Sequence, residues 1–237
     1  MLTRSRVPPE EKERIQREKE EALKKKNELH TRPFVEYNGK VIYQTTFIDV
    51  AMSCDAILDK VKATKNIFPL GFDLEWPFSF QTGSGKVAVI QISPSLEECY
   101  VFHVSQILKL PKSLLELLVV DNVRLVGVNI KNDIRKLSRD FGGFDDDEAV
   151  KRCIDAGRQA NELLGSTRRW SMEKLVGEFL NLRINKDKKV RNSQWHVIPL
   201  SKEQQIYAAT DAYASLRLYH KLEMLQEIAN KENNQEN

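Results

Sequence analysis

No stretch of the 237 residues stays apolar for the roughly 18 positions of a membrane-spanning helix; the longest apolar runs are strand-length or form one face of a helix. The opening MLTRSRVPPEEK likewise lacks the apolar stretch of a secretory signal, so the expectation is an intracellular protein. Cysteine is scarce. Cys54, Cys99 and Cys153 are odd in number, far apart and in no CxxC pair, which argues against a disulfide framework and a structural zinc site and leaves them as core thiols. No internal repeat divides the chain. A surplus of one charge sign is missing from the body as well. Residues 1–32 hold 10 Lys+Arg and 7 Asp+Glu; taken from the totals of 37 and 34, these leave 27 of each sign in residues 33–237. The net charge of +3 therefore carries no argument for a polyanionic partner, and any basic surface has to be local.

What is present fits one domain with tails. Residues 1–32 are nearly all charged and cannot bury enough surface to fold alone, so they read as a solvated helix or a disordered tail, with Glu20–Lys24 and Glu21–Lys25 at helical i,i+4 spacing. Lys24 to Lys26 resemble a weak nuclear import signal, which suggests a nuclear location. Residues 229–237 are polar and read as a frayed tail, leaving 33–228 as the folded domain. Strand-like segments occupy 41–47, 67–75, 86–93 and 98–104, the last three forming an antiparallel meander. A helix over 111–119, a strand at 125–128 and a helix after Asn129 follow, the last marked by Ile134, Leu137 and Phe141. A strand at 152–155, helices over 156–164 and 171–180, and a loop to Leu200 come next. The last helix opens on a capping box at Ser201–Gln204 and runs to 228. A meander followed by strand–helix alternation gives an α/β fold: a mixed sheet flanked by helices.

The chemistry-bearing residues are acids. Asp73 and Glu75 lie two apart in the strand over 67–75, so both point to one face, where they repel each other and resist burial unless water, basic groups or a metal ion meets them. Tyr207 and Asp211 stand four apart on one face of the last helix. Asp133 follows the strand at 125–128, and strand ends of α/β sheets are where sites collect. Each piece alone has a plain alternative: a chance D-x-E, an early-helix acid, a core tyrosine. Together, three elements are able to bring four acids to one point.

Those residues carry a resemblance. Asp73-x-Glu75, Asn129-x-x-x-Asp133 and Tyr207-x-x-x-Asp211 resemble the three motifs of the DEDD exonucleases, in the branch marked by tyrosine; the histidine branch needs His at position 206, which is Ile. The segments GFDLEWPF, GKVAVIQIS, CYVFHVS, VGVNIKNDIRKLSRDF, RWSMEKLV and YAATDAYA are similar to the exonuclease domain of Werner syndrome proteins, across about residues 67–226. Asn132 departs from the pattern, an aromatic residue being common there. The resemblance implies a ribonuclease H-like mixed sheet, with antiparallel meander and parallel strands, and metal-dependent removal of nucleotides from DNA 3′ ends in repair and replication. Oxygen donors suit Mg²⁺ or Mn²⁺, and two such ions about 4 Å apart stabilise both oxygens of an in-line displacement. By that analogy Asp73 bridges the two ions, Glu75 and Asp211 complete the first site, Asp133 holds the second, and Tyr207 orients the attacking water. DNA with a 3′ end is the implied partner, with a helicase or replication factors among proteins and no membrane.

Lys186, Lys188, Lys189 and Arg191 precede Trp195 in NKDKKVRNSQWH, a basic–aromatic cluster suited to gripping a phosphate backbone and stacking a base; the alternative is a solvated loop anchored by Trp195. Arg168 and Arg169 before Trp170 form a second such patch. Leu74 is either a wedge against the terminal base or core packing. Asp155 is expected to cap a helix, Asp145–Asp147 to form a solvated turn, and the four histidines to be structural or on the surface. Two rival readings remain: a ribonuclease D-like trimmer of RNA 3′ ends, and a catalytically silent nucleic-acid-binding module, against which the full set of acids speaks.

Overall fold

The computed structural model describes residues 8–235, without the side chains of residues 9, 12, 22–30 and 235. The charged leader forms α1 (Pro9–Thr31), with Glu10 and Glu11 in its first turn, where the helix dipole favours acids. The side chains of Lys24 to Lys26, and with them the basic run and its i,i+4 pairs, lie outside the described residues. The first strand, β1 (Lys40–Gln44), ends before Phe47, where the sequence reading extends it. Thr46 instead caps a helix the sequence reading lacks, α2 (Phe47–Lys62), its hydroxyl accepting from Asp49 N at 3.1 Å. Val50, Cys54, Ile57, Leu58 and Val61 recur at helical spacing there and bury one face.

The expected meander is present as β2 (Phe68–Glu75), β5 (Val89–Ser93) and β6 (Glu98–His103), paired antiparallel. Between β2 and β5 stands a separate small hairpin, β3 (Phe78–Ser79) with β4 (Gly83–Ser84). Next come α3 (Lys112–Leu117), β7 (Val123–Gly127) and α4 (Ile130–Phe141). Residues 145–147 are not the expected solvated turn. Asp145 accepts from Glu148 N at 2.9 Å and caps α5 (Asp146–Arg152), while Asp146 and Asp147 pair with Arg135 at 2.6 and 2.5 Å. A two-residue strand β8 (Ile154–Asp155), α6 (Ala156–Leu164), α7 (Met172–Leu180) and a short α8 (Lys188–Arg191), inside the expected loop, lead to α9 (Lys202–Gln235). The capping box closes reciprocally: Gln204 N donates to Ser201 Oγ at 3.2 Å and Ser201 N to Gln204 Oε1 at 2.9 Å. No glycine or proline interrupts the chain after Pro199, so α9 runs on to Gln235, into the stretch expected to fray, whose last two residues lie outside the described ones.

The six strands run in the order β1-β6-β5-β2-β7-β8, parallel at β1/β6, β2/β7 and β7/β8, which makes the mixed α/β sheet the sequence implies. Leu70, Phe72 and Leu74 of β2 face a core shared with α2, α3 and α4. The alternate residues, Gly71, Asp73 and Glu75, face α9. Helix α9 lies close because Ala208, Ala209 and Ala212 meet the sheet, and because position 71 is glycine: a Cβ there would stand 2.1 Å from the Ala212 carbonyl oxygen. All three cysteines are free, Cys54 and Cys99 buried and Cys153 half-buried. Among the described residues no helix is long and apolar enough to cross a membrane.

Candidate active site

Strand pleat and helix period converge at the end of β2. One oxygen from each of Asp73, Glu75 and Asp211 can be chosen so that all lie within 4.8 Å of one another. Asp133 stands outside this triplet but lines the same cavity of about 510 Å³, as does Tyr207. Asp133 reaches the cavity from the first turn of α4, and the turn before it is built for that purpose. Asn129 adopts the left-handed conformation (φ 59°) that asparagine tolerates better than most residues, and its N–H donates to Asp155 Oδ2 at 2.7 Å. Asp155 Oδ1 meanwhile accepts from Arg158 N at 3.1 Å and caps α6, as expected.

None of the four carboxylates joins an ion pair with a lysine or arginine among the described residues. Burial pushes Asp73 up to about 7, opposed by a Leu74 backbone hydrogen bond and the Arg191 charge. Burial and the Asp73 and Asp155 charges push Asp133 up to about 8. Glu75 rises well above the usual range through burial and the Asp73, Asp211 and Asp133 charges; Asp211 rises through burial and Asp73, with Lys186, the Tyr207 hydroxyl and Arg191 opposing. Tyr207 is also raised, by burial and then by Asp211, Glu75 and Asp73, so its hydroxyl stays protonated and serves as a donor rather than a base. Buried acids crowded together without cations are costly to ionise, and hard divalent ions are the groups that such all-oxygen donor sets fit.

The sequence pattern of the 3′-5′ exonuclease family matches residues 48–226, a span containing all five residues. The chain belongs to the 3′-5′ exonuclease family. A 3′-5′ exonuclease of Drosophila melanogaster is 44% identical over 197 residues, covering 83% of this chain and 56% of that protein, so the chain spans just over half the length of that relative. Escherichia coli RNase D, described as an exoribonuclease involved in structured RNA processing, superposes with a TM-score of 0.61 at 20% identity, over 81% of this chain and 46% of that one. Brucella melitensis NrnC with bound Mg²⁺ superposes with a TM-score of 0.59 at 18% identity, over 81% and 84%. The fold shared with these neighbours is the ribonuclease H-like one.

The basic loop before α9 divides in two. Lys186 and Arg191 line the cavity, and Arg191 on α8 acts electrostatically on Asp73, Glu75 and Asp211; Lys188 and Lys189, on the same short helix, are exposed and do not line it. Trp195 is fully buried, its Nε1 donating to the Arg191 carbonyl at 3.0 Å and its ring 6.0 Å from that of Tyr207. It anchors the loop and is not available to stack a base. Leu74 is 4% exposed and packs into the core, the second of its two expected roles, and it also borders the carboxylate cavity between Asp73 and Glu75. Arg168, Arg169 and Trp170 border a second, larger cavity of about 760 Å³ with Arg158, Asp155 and Glu162; it shares Asn129 with the first. His103 is buried with Nδ1 2.7 Å from the Tyr43 hydroxyl, and burial lowers it to about 4, a structural role as expected.

Sequence reasoning missed Trp76, Phe78, Met172 and Asn192 in the cavity wall. Trp76 was recoverable, being next to Glu75; Met172 and Asn192 arrive from distant elements and carry no local signal. Gln91 was missed too. It sits opposite Asp73 in the β2/β5 register, fully buried, with neither amide atom hydrogen-bonded, on the strand face that meets α9.

Proposed function

We propose that the protein is a metal-dependent 3′-5′ exonuclease of the tyrosine branch that removes nucleotides from DNA 3′ ends. One observation carries the reading: acids from β2, α4 and α9, with the α9 tyrosine, meet in one cavity. Asp73, Glu75 and Asp211 would hold one Mg²⁺ or Mn²⁺ ion, with Asp73 shared toward a second that Asp133 supports. When bound, such ions activate water and neutralise charge developing on the scissile phosphate. The protein's own contributions are positional. Tyr207, kept protonated, donates a hydrogen bond that orients the attacking water. Arg191 and Lys186 attract the phosphate backbone into an otherwise anionic cavity. The second cavity, which shares Asn129 in its wall and bears Arg158, Arg168 and Arg169, would offer that backbone a path away from the acids.

The choice of DNA rests on segment likeness to Werner-type exonucleases. RNA is the second reading, supported by the solved neighbour described as an exoribonuclease. Digestion of 5′-labelled DNA and RNA of one sequence with Mg²⁺ separates them: stepwise shortening of DNA in preference to RNA supports the proposal, and the reverse preference overturns the DNA assignment.

A further inference from the structure

Phe80 is 99% exposed and Phe78 59%, and their rings meet edge to face at 5.4 Å and 84°. Scattered apolar residues are ordinary on protein surfaces, but two aromatics in contact on a projecting hairpin are not a scattered pair. Their position gives the contact a context. The hairpin β3/β4 leaves β2 directly after Glu75, and Phe78 lines the carboxylate cavity while Phe80 stands outside it.

The hairpin is held firmly at its base. Gly85 N donates to the Pro77 carbonyl at 2.8 Å, and a Cβ on Gly85 would lie 2.7 Å from the Pro77 ring. Lys136, nearly buried, donates to the Gly85 carbonyl at 2.7 Å and to Asp140 Oδ2 at 2.9 Å, while the same Asp140 oxygen accepts from Val87 N at 2.8 Å. Lys136 Nζ also sits 4.9 Å from the centre of the Trp76 ring. A buried ion pair and three hydrogen bonds thus fix the base of a hairpin whose tip presents bare rings to solvent. A rigid presentation of aromatic faces lowers the ordering cost of whatever stacks on them.

We propose that Phe78 and Phe80 form a stacking platform for unpaired nucleobases at the 3′ end of the substrate, Phe78 serving the terminal base beside the acids and Phe80 its neighbour. The inference rests on the exonuclease reading, because the cavity that Phe78 lines is where the terminal nucleotide would sit. A nucleobase has a π-face whatever its identity, so the platform adds affinity without sequence preference and favours frayed or single-stranded ends over stably paired ones.

The test is equilibrium binding in chelator, where no cleavage intervenes. The probes are short 5′-labelled single-stranded DNA and RNA, each with ordinary or abasic nucleotides at the 3′ end. Wild-type protein is expected to bind ordinary ends roughly five- to a hundredfold more tightly than abasic ones, the range for a stacked base. Phe80→Ala should lose the part of that difference owed to the penultimate base without loss of folding, since the side chain is fully exposed, and Phe80→Trp should keep it. Unchanged discrimination in Phe80→Ala, or wild-type indifference to abasic ends, overturns the platform. So does a Phe80→Ala change confined to sedimentation of the free protein, which would make the pair a self-association contact. Cleavage of the same oligonucleotides with Mg²⁺ keeps the two readings apart: base discrimination in binding with no hydrolysis overturns the nuclease and leaves the platform, and hydrolysis without discrimination does the opposite.

Discussion

At the scale of single residues, the acids of the cavity are held at a cost that pH should reveal. Their ionised forms are disfavoured in the folded protein, so between the ordinary carboxylate pKa near 4 and the folded values of about 7 for Asp73 and about 8 for Asp133, the folded state keeps protons the unfolded chain has lost. Stability of the metal-free protein therefore falls as pH rises through that window, by up to about 1.4 kcal/mol per unit for each such group, and returns on acidification. Thermal melts across pH 6 to 8 in chelator should show the fall, and saturating Mg²⁺ should flatten it; a metal-free melting point that climbs with pH would contradict the assigned shifts. By the same logic Asp73→Asn should melt no lower than wild type in chelator at pH 8, because it removes a charge that burial opposes. Tyr207→Phe deletes only an orienting donor, worth about one hydrogen bond, so kcat should drop by about tenfold with KM little changed. A loss as deep as that of the acid variants would mean the hydroxyl does more than orient. Asp73 with Glu75, and Tyr207 with Asp211, were legible in the sequence because strand and helix periods dictate which side chains share a face, while Asp133 rested on its place after a strand and the set of five on resemblance to the family's motifs. For Trp195 the anchoring role was already the favoured one, and strand alternation already turned Leu74 away from the two acids; what the sequence lacked was the burial that decides between the paired readings.

Among the elements, α9 matters most, since it brings Tyr207 and Asp211 over β2. Its approach depends on the missing side chain at Gly71. Gly71→Ala should push the helix from the sheet, costing about 1–3 kcal/mol of stability as overpacking does, and should lower kcat more than Tyr207→Phe although it alters no polar group. Wild-type melting and kcat would show that the helix is seated otherwise. Helix α8 makes a second prediction, because it divides the basic run by direction. Arg191→Ala should raise KM and reduce the salt slope of binding by about one, while Lys189→Ala, outside the cavity, should do less to both. Equal effects from the two would remove the distinction. Elements were unevenly legible. The capping box and the meander announced themselves, one by a local reciprocal bond and the others by β-branched runs between turns. Helices α2 and α5 were lost because each begins in residues that also suit a strand end or a turn, and only burial of their apolar stripes decides the matter. The hairpin β3/β4 was lost because two-residue strands have no period to read.

Across the whole molecule, the order β1-β6-β5-β2-β7-β8 places β2 at the centre, with acids on one face and the larger apolar core on the other. The α/β class followed from strand–helix alternation, but the parallel docking of β1 beside β6 did not, since it pairs strands more than fifty residues apart. The cavity wall was equally hidden: Met172 and Asn192 become neighbours of Asp73 only after the chain has closed. In the proposed mechanism, acids from β2, α4 and α9 act together through divalent ions on a strand's 3′ end. The most direct test is digestion of 5′-end-labelled DNA and RNA by wild-type protein and by Asp73→Asn, each with Mg²⁺, Mn²⁺ or chelator. Wild type should shorten the strand stepwise from the 3′ end with either metal and not at all in chelator, and Asp73→Asn should lose about a hundredfold or more. Equal shortening by the variant, or shortening that persists in chelator, would contradict that mechanism.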